Sequence, residues 1–207
     1  MRIRISFQKI SQLRFTSTLD LQTIWERSLR RANIRIEYSK GFHPQPRIQI
    51  GVPLPLGFVG LDEKVDIWIQ DTFSIDELLS MLQGKLPAGL KIINIEEIPA
   101  QEKTLSSKIR LSEYKVFLFN KETSSIDIQN RINELILLEE IIRTKRNGKK
   151  YDLRPLIESI ELNIDPKNAY ISLILLSQQN KTGRADEVMF ALGFQQNDFL
   201  VERTGYY

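Results

Sequence analysis

Cysteine is absent from this chain of 207 residues, and histidine occurs only once, as His43. The lack of cysteine excludes disulfides, a thiolate nucleophile and any cysteine-ligated zinc or iron–sulfur centre built from this chain alone. A single histidine also leaves no second imidazole for a two-histidine acid–base pair. We therefore expect neither a cofactor nor a metal site.

Long apolar runs are also missing, because no stretch approaches the ~20 residues that a membrane-spanning helix needs. The basic start "MRIRISFQK" leads into no apolar signal-peptide core. Hydrophobic residues nevertheless make up 42% of the chain, which is enough for a packed core. These features predict a cytoplasmic protein that has no membrane partner.

Phosphate-binding loops of the familiar kinds are absent as well. The segment "GVPLPLGFVG" has glycines at 51, 57 and 60, but its prolines at 53 and 55 remove amides that would cradle a phosphate. No GK[ST] follows it, and neither G-x-G-x-x-G nor the G-x-S-x-G elbow of serine hydrolases occurs. Neither a nucleotide-binding loop nor a serine nucleophile is expected.

Positive charge is concentrated in the first fifty residues. Ten lysines and arginines stand there against three acidic residues, a balance of 10 − 3 = +7, whereas the whole chain carries +3. A second basic cluster follows later, at Arg143, Lys145, Arg146, Lys149, Lys150 and Arg154. Such asymmetry indicates an anionic partner for particular faces, and the alternative is ordinary solvated surface charge.

The hydrophobic pattern predicts an α+β protein with two similar halves. Each half has strand-like and helix-like segments in the approximate order β-α-β-β-α-β, which is typical of a ferredoxin-like domain with helices on one face of an antiparallel sheet. We therefore predict two tandem ferredoxin-like domains at 1–100 and 110–207, joined by a polar linker at 101–109. Strands are expected at "RIRISFQK", "IRIEY" and "KVDIWIQD" in the first half and at "YKVFLF" and around the turn "DPKN" in the second.

The first predicted helix, "STLDLQTIWERSLRRANI", has two distinct faces. Ser17 or Thr18 can cap its start, and the helical spacing predicts a buried face made of Leu21, Ile24, Trp25, Leu29 and Ala32. Arg27, Arg30 and Arg31 follow i, i+3 and i+4 spacing on the outer side. They predict an exposed basic ridge.

The segment "YSKGFHPQPRI", residues 38–48, holds the only histidine. Its glycine and two prolines predict a stiff connection, and the segment has three interpretations. It is a plain turn, a binding loop or a catalytic loop. In the binding loop Lys40, His43 and Arg47 donate to phosphates while Phe42 or Tyr38 stacks on a base. In the catalytic loop His43 acts as a general acid or base in RNA cleavage.

Two segments of the second half have similar chemistry. "GKKYDLRP" contains Lys149, Lys150 and Arg154, and it is either a basic binding loop or an exposed hairpin tip in which Arg154 pairs with Asp152. "TGRADE" is either a helix N-terminus that offers amides to an anion beside Arg184, or a helix start neutralised by its own Asp186 and Glu187.

Four motifs, "SKGFHPQPR", "VPLPLG", "YDLRPLI" and "GRADEVMFALG", resemble those of the bacterial radical-SAM-linked protein family, a domain of unknown function. The resemblance covers nearly the whole chain, although proline is frequent in the family where Ala185 stands. It implies an accessory domain fused to or encoded beside a radical-SAM protein, and it implies no activity. The motif residues carried over are Lys40, Gly41, Phe42, His43, Pro44, Pro46, Arg47, Asp152, Arg154, Arg184 and Asp186.

We hypothesise a non-catalytic RNA-binding module that presents tRNA or rRNA to a radical-SAM partner. One alternative is a metal-independent endoribonuclease that uses His43. The other is an adaptor whose docking surface is formed by Phe42, Trp68 and "VPLPLG". The candidate RNA-contacting residues are Arg14, Arg27, Arg30, Arg31, Lys40, Phe42, His43, Arg47, Lys149, Lys150, Arg154 and Arg184.

Overall fold

The computed structural model describes residues 1–99, 101–119, 123–145, 147–164, 169–178 and 181–207. The chain divides into two compact units, Met1–Lys108 and Ile109–Tyr207. Each unit combines helices with an antiparallel sheet. The α+β class predicted from the sequence is therefore confirmed.

The first unit contains four paired strands and three helices. They are β1 Arg2–Lys9, α1 Thr18–Arg31, β2 Ile48–Ile50, β3 Val59–Trp68, α2 Ile75–Leu82, β4 Leu90–Glu97 and α3 Leu105–Lys108, with a 3-10 turn at Ser11–Phe15. The strand order is β4-β1-β3-β2, and all neighbours are antiparallel. Ile5 of β1 stands opposite Val65 of β3 and Ile95 of β4, so the apolar residues of three strands share one face.

Both long helices of the first unit begin at capping boxes. Ser17 accepts a hydrogen bond from the amide of Asp20, whose carboxylate in turn accepts from the amide of Ser17, and Ser74 and Glu77 repeat the arrangement. The apolar faces of α1 and α2 bury against the sheet, and the ring of Trp25 packs edge-on to that of Phe7 at 5.1 Å. The predicted buried face of α1 is confirmed, except that Ile24 is only half-buried.

The predicted strand at "IRIEY" is wrong. This segment forms only isolated bridges, Ile36 with Ile69 and Tyr38 with Pro46. A ladder does not form because the chain turns away into the loop that follows Tyr38. Within the predicted linker 101–109, residues 105–108 form α3 and Leu105 is buried. The backbone carbonyls of Glu102 and Lys103 accept hydrogen bonds from Arg2, so this segment is held to the first unit.

The second unit repeats the order of elements and adds a hairpin. Its elements are β5 Leu111–Leu118, α4 Ser125–Leu137, β6 Ile142–Thr144, β7 Lys150–Asp152, β8 Ile157–Ile164, β9 Ala169–Gln178, β10 Lys181–Thr182, α5 Ala185–Ala191 and β11 Phe199–Tyr206. Strands pair in the order β8-β9-β5-β11, while β6 and β7 form a separate two-stranded ribbon. β8 and β9 pair as the predicted hairpin. The predicted turn "DPKN" between them lies outside the described residues.

Candidate nucleic-acid interface

The connection from α1 to β2 carries the segment with the single histidine, and its base is closed by backbone hydrogen bonds. The amide of Glu37 donates to the carbonyl of Trp68 at 2.8 Å, and the amide of Arg47 donates to the carbonyl of Glu37 at 2.8 Å. One step further out, the amide of Ser39 donates to the carbonyl of Gln45 at 2.8 Å, and the amide of Gln45 donates to Ser39 Oγ at 2.9 Å. We call residues 38–47 the basic loop.

The tip of the basic loop presents its side chains to solvent. Phe42 is fully exposed, and Lys40 and His43 are exposed beside it. Gly41 has a φ of +140°, a conformation that other residues rarely adopt, so glycine is required for this turn. Within the described part of the chain no carboxylate or carbonyl holds the imidazole of His43. The geometry therefore supplies donors and a ring but no partner that would orient a catalytic base.

At the base of the loop, the Arg47 side chain lies against Trp68. Its guanidinium forms an ion pair with Glu37 and stands 4.5 Å from the centre of the Trp68 ring. The guanidinium of Arg2 stands 5.0 Å from the same ring. Two guanidinium groups next to one indole form a cation–π arrangement that fixes the position of Arg47.

The cation–π arrangement around Trp68 rests on a buried carboxylate. Asp66 is fully buried and accepts from Arg2 at 2.6 Å and from Arg4 at 2.8 and 3.1 Å. Asp66 and Trp68 were not among the candidate RNA-contacting residues. The alternation of "KVDIWIQD" nevertheless sets both opposite the apolar residues Val65 and Ile67, so the sequence does contain a signal for them.

The three arginines of the predicted ridge on α1 make different contacts. Arg30 donates to Glu26 Oε1 at 2.8 Å, and the hydroxyl of Tyr38 donates to the same oxygen at 2.9 Å. Glu26 therefore joins the ridge to the basic loop. The hydrogen bond to Glu26 also raises the pKa of Tyr38 above its ordinary value, with burial as a smaller cause.

The other two arginines of the ridge behave differently. Arg31 donates to the carbonyl of Lys85 at 2.6 Å and to Ser28 Oγ at 3.0 Å, so its guanidinium is tied to the segment after α2. Arg27 is exposed, and it makes no ion pair with any residue that the structure describes. All three arginines are exposed on α1, as the predicted ridge requires, and Arg31 also makes these two hydrogen bonds within the first unit.

Arg14 lies in the 3-10 turn Ser11–Phe15. Its guanidinium stacks on the ring of Phe15 at 4.7 Å, and its carbonyl accepts from the amide of Gly57 at 2.8 Å. In the described residues, none of these contacts reaches the basic loop. The structure therefore links Arg14 to the "VPLPLG" segment.

In the second unit, Lys149 and Lys150 lie on the ribbon of β6 and β7, and both are exposed. Arg146 of the same basic cluster lies outside the described residues. Arg154 donates to the carbonyl of Ile136 at 3.1 Å. Asp152 accepts from the backbone amide of Arg154 at 2.9 Å, so the predicted pairing of the two side chains is wrong.

The start of α5 is occupied by its own acidic residues. Arg184 donates to Asp186 at 3.0 and 2.5 Å, and the amide of Glu187 donates to Asp186 at 3.0 Å. This bidentate pair raises the pKa of Arg184 above its ordinary value. Glu187 accepts from Arg143 of β6 at 2.7 Å. These contacts agree with the interpretation in which the acidic residues neutralise the start of the helix.

The described residues contain no group of three or more His, Cys, Asp or Glu side chains placed to hold a metal ion. Across the same residues, no helix combines the length and the apolar character needed to cross a bilayer.

A comparison with known protein families identifies the family of this chain. The model of a family described as an uncharacterized protein conserved in bacteria (DUF2344) matches residues 2–185. The chain belongs to this family.

Among solved structures, the chain is similar to one in the crystal structure of a Cbf5-Nop10-Gar1 complex, with a TM-score of 0.51 and 12% identity. The match covers 99% of this chain but 48% of the other, so the chain spans about half the length of its structural relative. A likeness at this identity concerns the fold alone. No curated protein matches the sequence.

Proposed function

We propose that the protein is a non-catalytic RNA-binding module, built from two ferredoxin-like domains, that presents tRNA or rRNA to a radical-SAM enzyme. The observation that carries the RNA-binding part is the basic loop. Backbone hydrogen bonds hold its base, and its tip exposes Lys40, Phe42 and His43. A preformed loop loses less conformational entropy on binding than a flexible one. Cations for phosphates and a free ring for a base are what single-stranded RNA requires.

The arginines around the loop extend the proposed surface. Arg47 is fixed over Trp68, and Arg30 is joined to the loop through Glu26. Arg27 adds an exposed charge on the same helix. In the second unit, taken by itself, Lys149 and Lys150 are exposed candidates for RNA contact. Steering by such charges acts over about a Debye length, roughly 8–10 Å at physiological salt.

The radical-SAM part of the proposal rests on the resemblance of the four sequence motifs. Because the chain has no cysteine, the cluster of such an enzyme would belong to another polypeptide or to another domain.

Binding of fluorescently labelled bulk tRNA and of a single-stranded RNA, measured by anisotropy over a salt series, tests the RNA-binding part. We expect log Kd to rise linearly with log salt, and Lys40→Ala with Arg47→Ala to reduce the slope by about 1–2, since Arg47 is already paired with Glu37. The matched control is Lys91→Ala with Lys181→Ala, which removes the same charge from exposed positions elsewhere. Equal slopes for the two double variants would remove the basic loop from the interface.

Affinity purification of the tagged protein from its native host, followed by RNA sequencing and mass spectrometry, tests the partner. The proposal expects an RNA and a radical-SAM protein together. Recovery of the radical-SAM protein without RNA would instead select the adaptor. Cleavage of RNA in EDTA by the wild type but not by His43→Ala would select the endoribonuclease.

A further inference from the structure

An open cavity of about 490 Å³ lies at the base of the basic loop, in the first unit. Its apolar lining comes from Ile34 and Ile36, and its polar lining includes Glu26, Arg30, Arg35, Tyr38 and Gln70. The volume falls in the range of about 300–1,000 Å³ that is typical of small-ligand sites.

The polar groups of the cavity have unused hydrogen-bonding capacity. Both hydrogen bonds accepted by Glu26 fall on Oε1, and among the described residues nothing donates to Oε2. Gln70 uses its Nε2 to donate to the carbonyl of Ile36 at 3.0 Å, which leaves its own carbonyl oxygen as an acceptor. The cavity therefore offers carboxylate and amide acceptors.

The cavity also offers donors and a ring. Arg30 is 71% exposed and Arg35 is 68% exposed, so each guanidinium keeps free N–H groups beside its carboxylate partner, Glu26 or Asp71. Tyr38 is 45% exposed, and its hydroxyl donates a hydrogen bond to Glu26. Tyr38 can stack on a ligand without moving, because the hydrogen bond fixes its orientation.

We propose that this cavity is a specificity pocket for one unstacked guanine of the bound RNA. The Watson–Crick edge of the guanine faces the carboxylate of Glu26, and its O6 and N7 face a guanidinium. This proposal rests on the proposed function, because the pocket receives a base from RNA held by the basic loop and by Arg30. Single-stranded RNA is recognised in this way, through splayed bases read on their edges.

Guanine is the base whose edges match this set of groups. Its N1–H and N2 amine are neighbouring donors for a carboxylate, and its O6 and N7 are the acceptors that arginine prefers. Adenine would bring the lone pair of its N1 against the carboxylate, and uracil offers a single N3–H donor. The pocket therefore discriminates by leaving the wrong base with an unpaired or repelled polar group.

The test uses labelled U8 RNA and three derivatives in which one central uridine is replaced by guanosine, inosine or adenosine. Anisotropy at low salt should give the guanosine probe at least about tenfold tighter binding than the adenosine probe. Inosine lacks the N2 amine and should fall between them. Glu26→Gln replaces the carboxylate by a group of the same shape, and it should remove the preference for guanosine over adenosine.

Glu97→Gln is the matched control, because it makes the same charge change at an exposed position of β4. It should keep the preference for guanosine. Equal binding of all probes by the wild type, or a preference that survives Glu26→Gln, overturns the guanine pocket while RNA binding stands. Failure to bind any probe, U8 included, overturns the proposed function together with the pocket.

Discussion

Two basic connections occupy the same topological position in the two units. Residues 32–47 join α1 to β2 in the first unit, and residues 138–156 join α4 to β8 in the second. Each leads from the first helix of its unit to the strand that pairs with β3 or with β9. Each also contains glycine, basic residues, an aromatic residue and proline. Composition and position would therefore predict the same use for both.

Their side chains are nevertheless engaged differently. In the first connection the tip residues Lys40, Phe42 and His43 are exposed, whereas Arg47 below them pairs with Glu37. In the second, Arg143 pairs with Glu187 of α5, and Tyr151 is half-buried with Lys145 5.4 Å from its ring centre. The difference teaches that basic residues in a sequence do not measure available charge. Acidic residues on a neighbouring element decide how much of that charge remains for a ligand.

The largest expected effect concerns the buried cluster of Asp66, Arg2 and Arg4, which supports the first connection. Asp66→Ala leaves Arg2 and Arg4 in the interior without their carboxylate, and we expect the free energy of unfolding to fall by about 3–5 kcal/mol. Both tryptophans, Trp25 and Trp68, lie in the first unit. Tryptophan fluorescence during urea unfolding therefore measures this unit.

Asp62→Asn is the control on the same strand, because Asp62 pairs with Lys64 at the surface at 3.5 Å. It should change stability by less than about 1 kcal/mol. A similar loss in both variants would show that the buried cluster does not support the loop.

The second prediction compares the two aromatic residues directly. Phe42→Ala should weaken RNA binding by about 1–3 kcal/mol, the usual contribution of one stacked base, and leave the melting temperature unchanged because Phe42 is fully exposed. Tyr151→Ala should do the reverse, lowering the melting temperature with little effect on RNA binding, because its ring is half-buried. Anisotropy and differential scanning fluorimetry on both variants measure the two effects. A Phe42→Ala protein that binds RNA normally would contradict the role of the loop tip.

Local signals explain most of what could be predicted from the sequence. The apolar spacing of α1 and the alternation of β1 and β3 are properties of neighbouring residues, and so is the capping pair Ser74 and Glu77. The prediction that Gly41 and the prolines make the basic loop stiff also rests on neighbouring residues alone. The predicted strand at "IRIEY" does not form because alternation alone does not supply a partner strand. Within this segment, Ile36 and Tyr38 each form one isolated bridge.

The candidate site was predicted in part. Lys40, Phe42 and His43 are exposed as the binding interpretation requires, but the states of the arginines depend on distant acids. Arg143 and Glu187 are 44 residues apart, and nothing in the sequence pairs them. The role of Glu26 in joining Arg30 to Tyr38 depends equally on how the loop returns to the helix. Such contacts arise from tertiary structure, so periodicity does not contain them.

The smallest expected effect comes from a substitution that removes the ion pair of the second connection. Glu187→Gln frees Arg143 from its ion pair, and we expect tighter RNA binding with a salt slope larger by about 1, since one more cation becomes available to a phosphate. The measurement is the same anisotropy salt series that is used for the basic loop. Glu158→Gln, an equal charge change at an exposed position of β8, should leave the slope unchanged. The same slope for both variants would mean that the ion pair with Glu187 does not keep Arg143 from contacting RNA.

The titration of Tyr151 gives an independent readout of the same variant. Burial is the largest cause that raises the pKa of Tyr151 above 10.0, and the charge of Glu187 adds to it. Glu187→Gln should therefore lower the pKa of Tyr151 part of the way toward 10.0, which NMR of ¹³C-labelled tyrosine can follow with Tyr151→Phe for assignment. The pKa of Tyr151 is higher in the folded protein than in the unfolded chain. The stability that this tyrosine contributes is therefore fully present below about pH 10, and it is lost as the pH rises through the raised pKa. In Glu187→Gln this loss of stability should be complete at a lower pH. An unshifted titration of Tyr151 would show that the charges of Arg143 and Glu187 do not affect its pKa as the structure indicates.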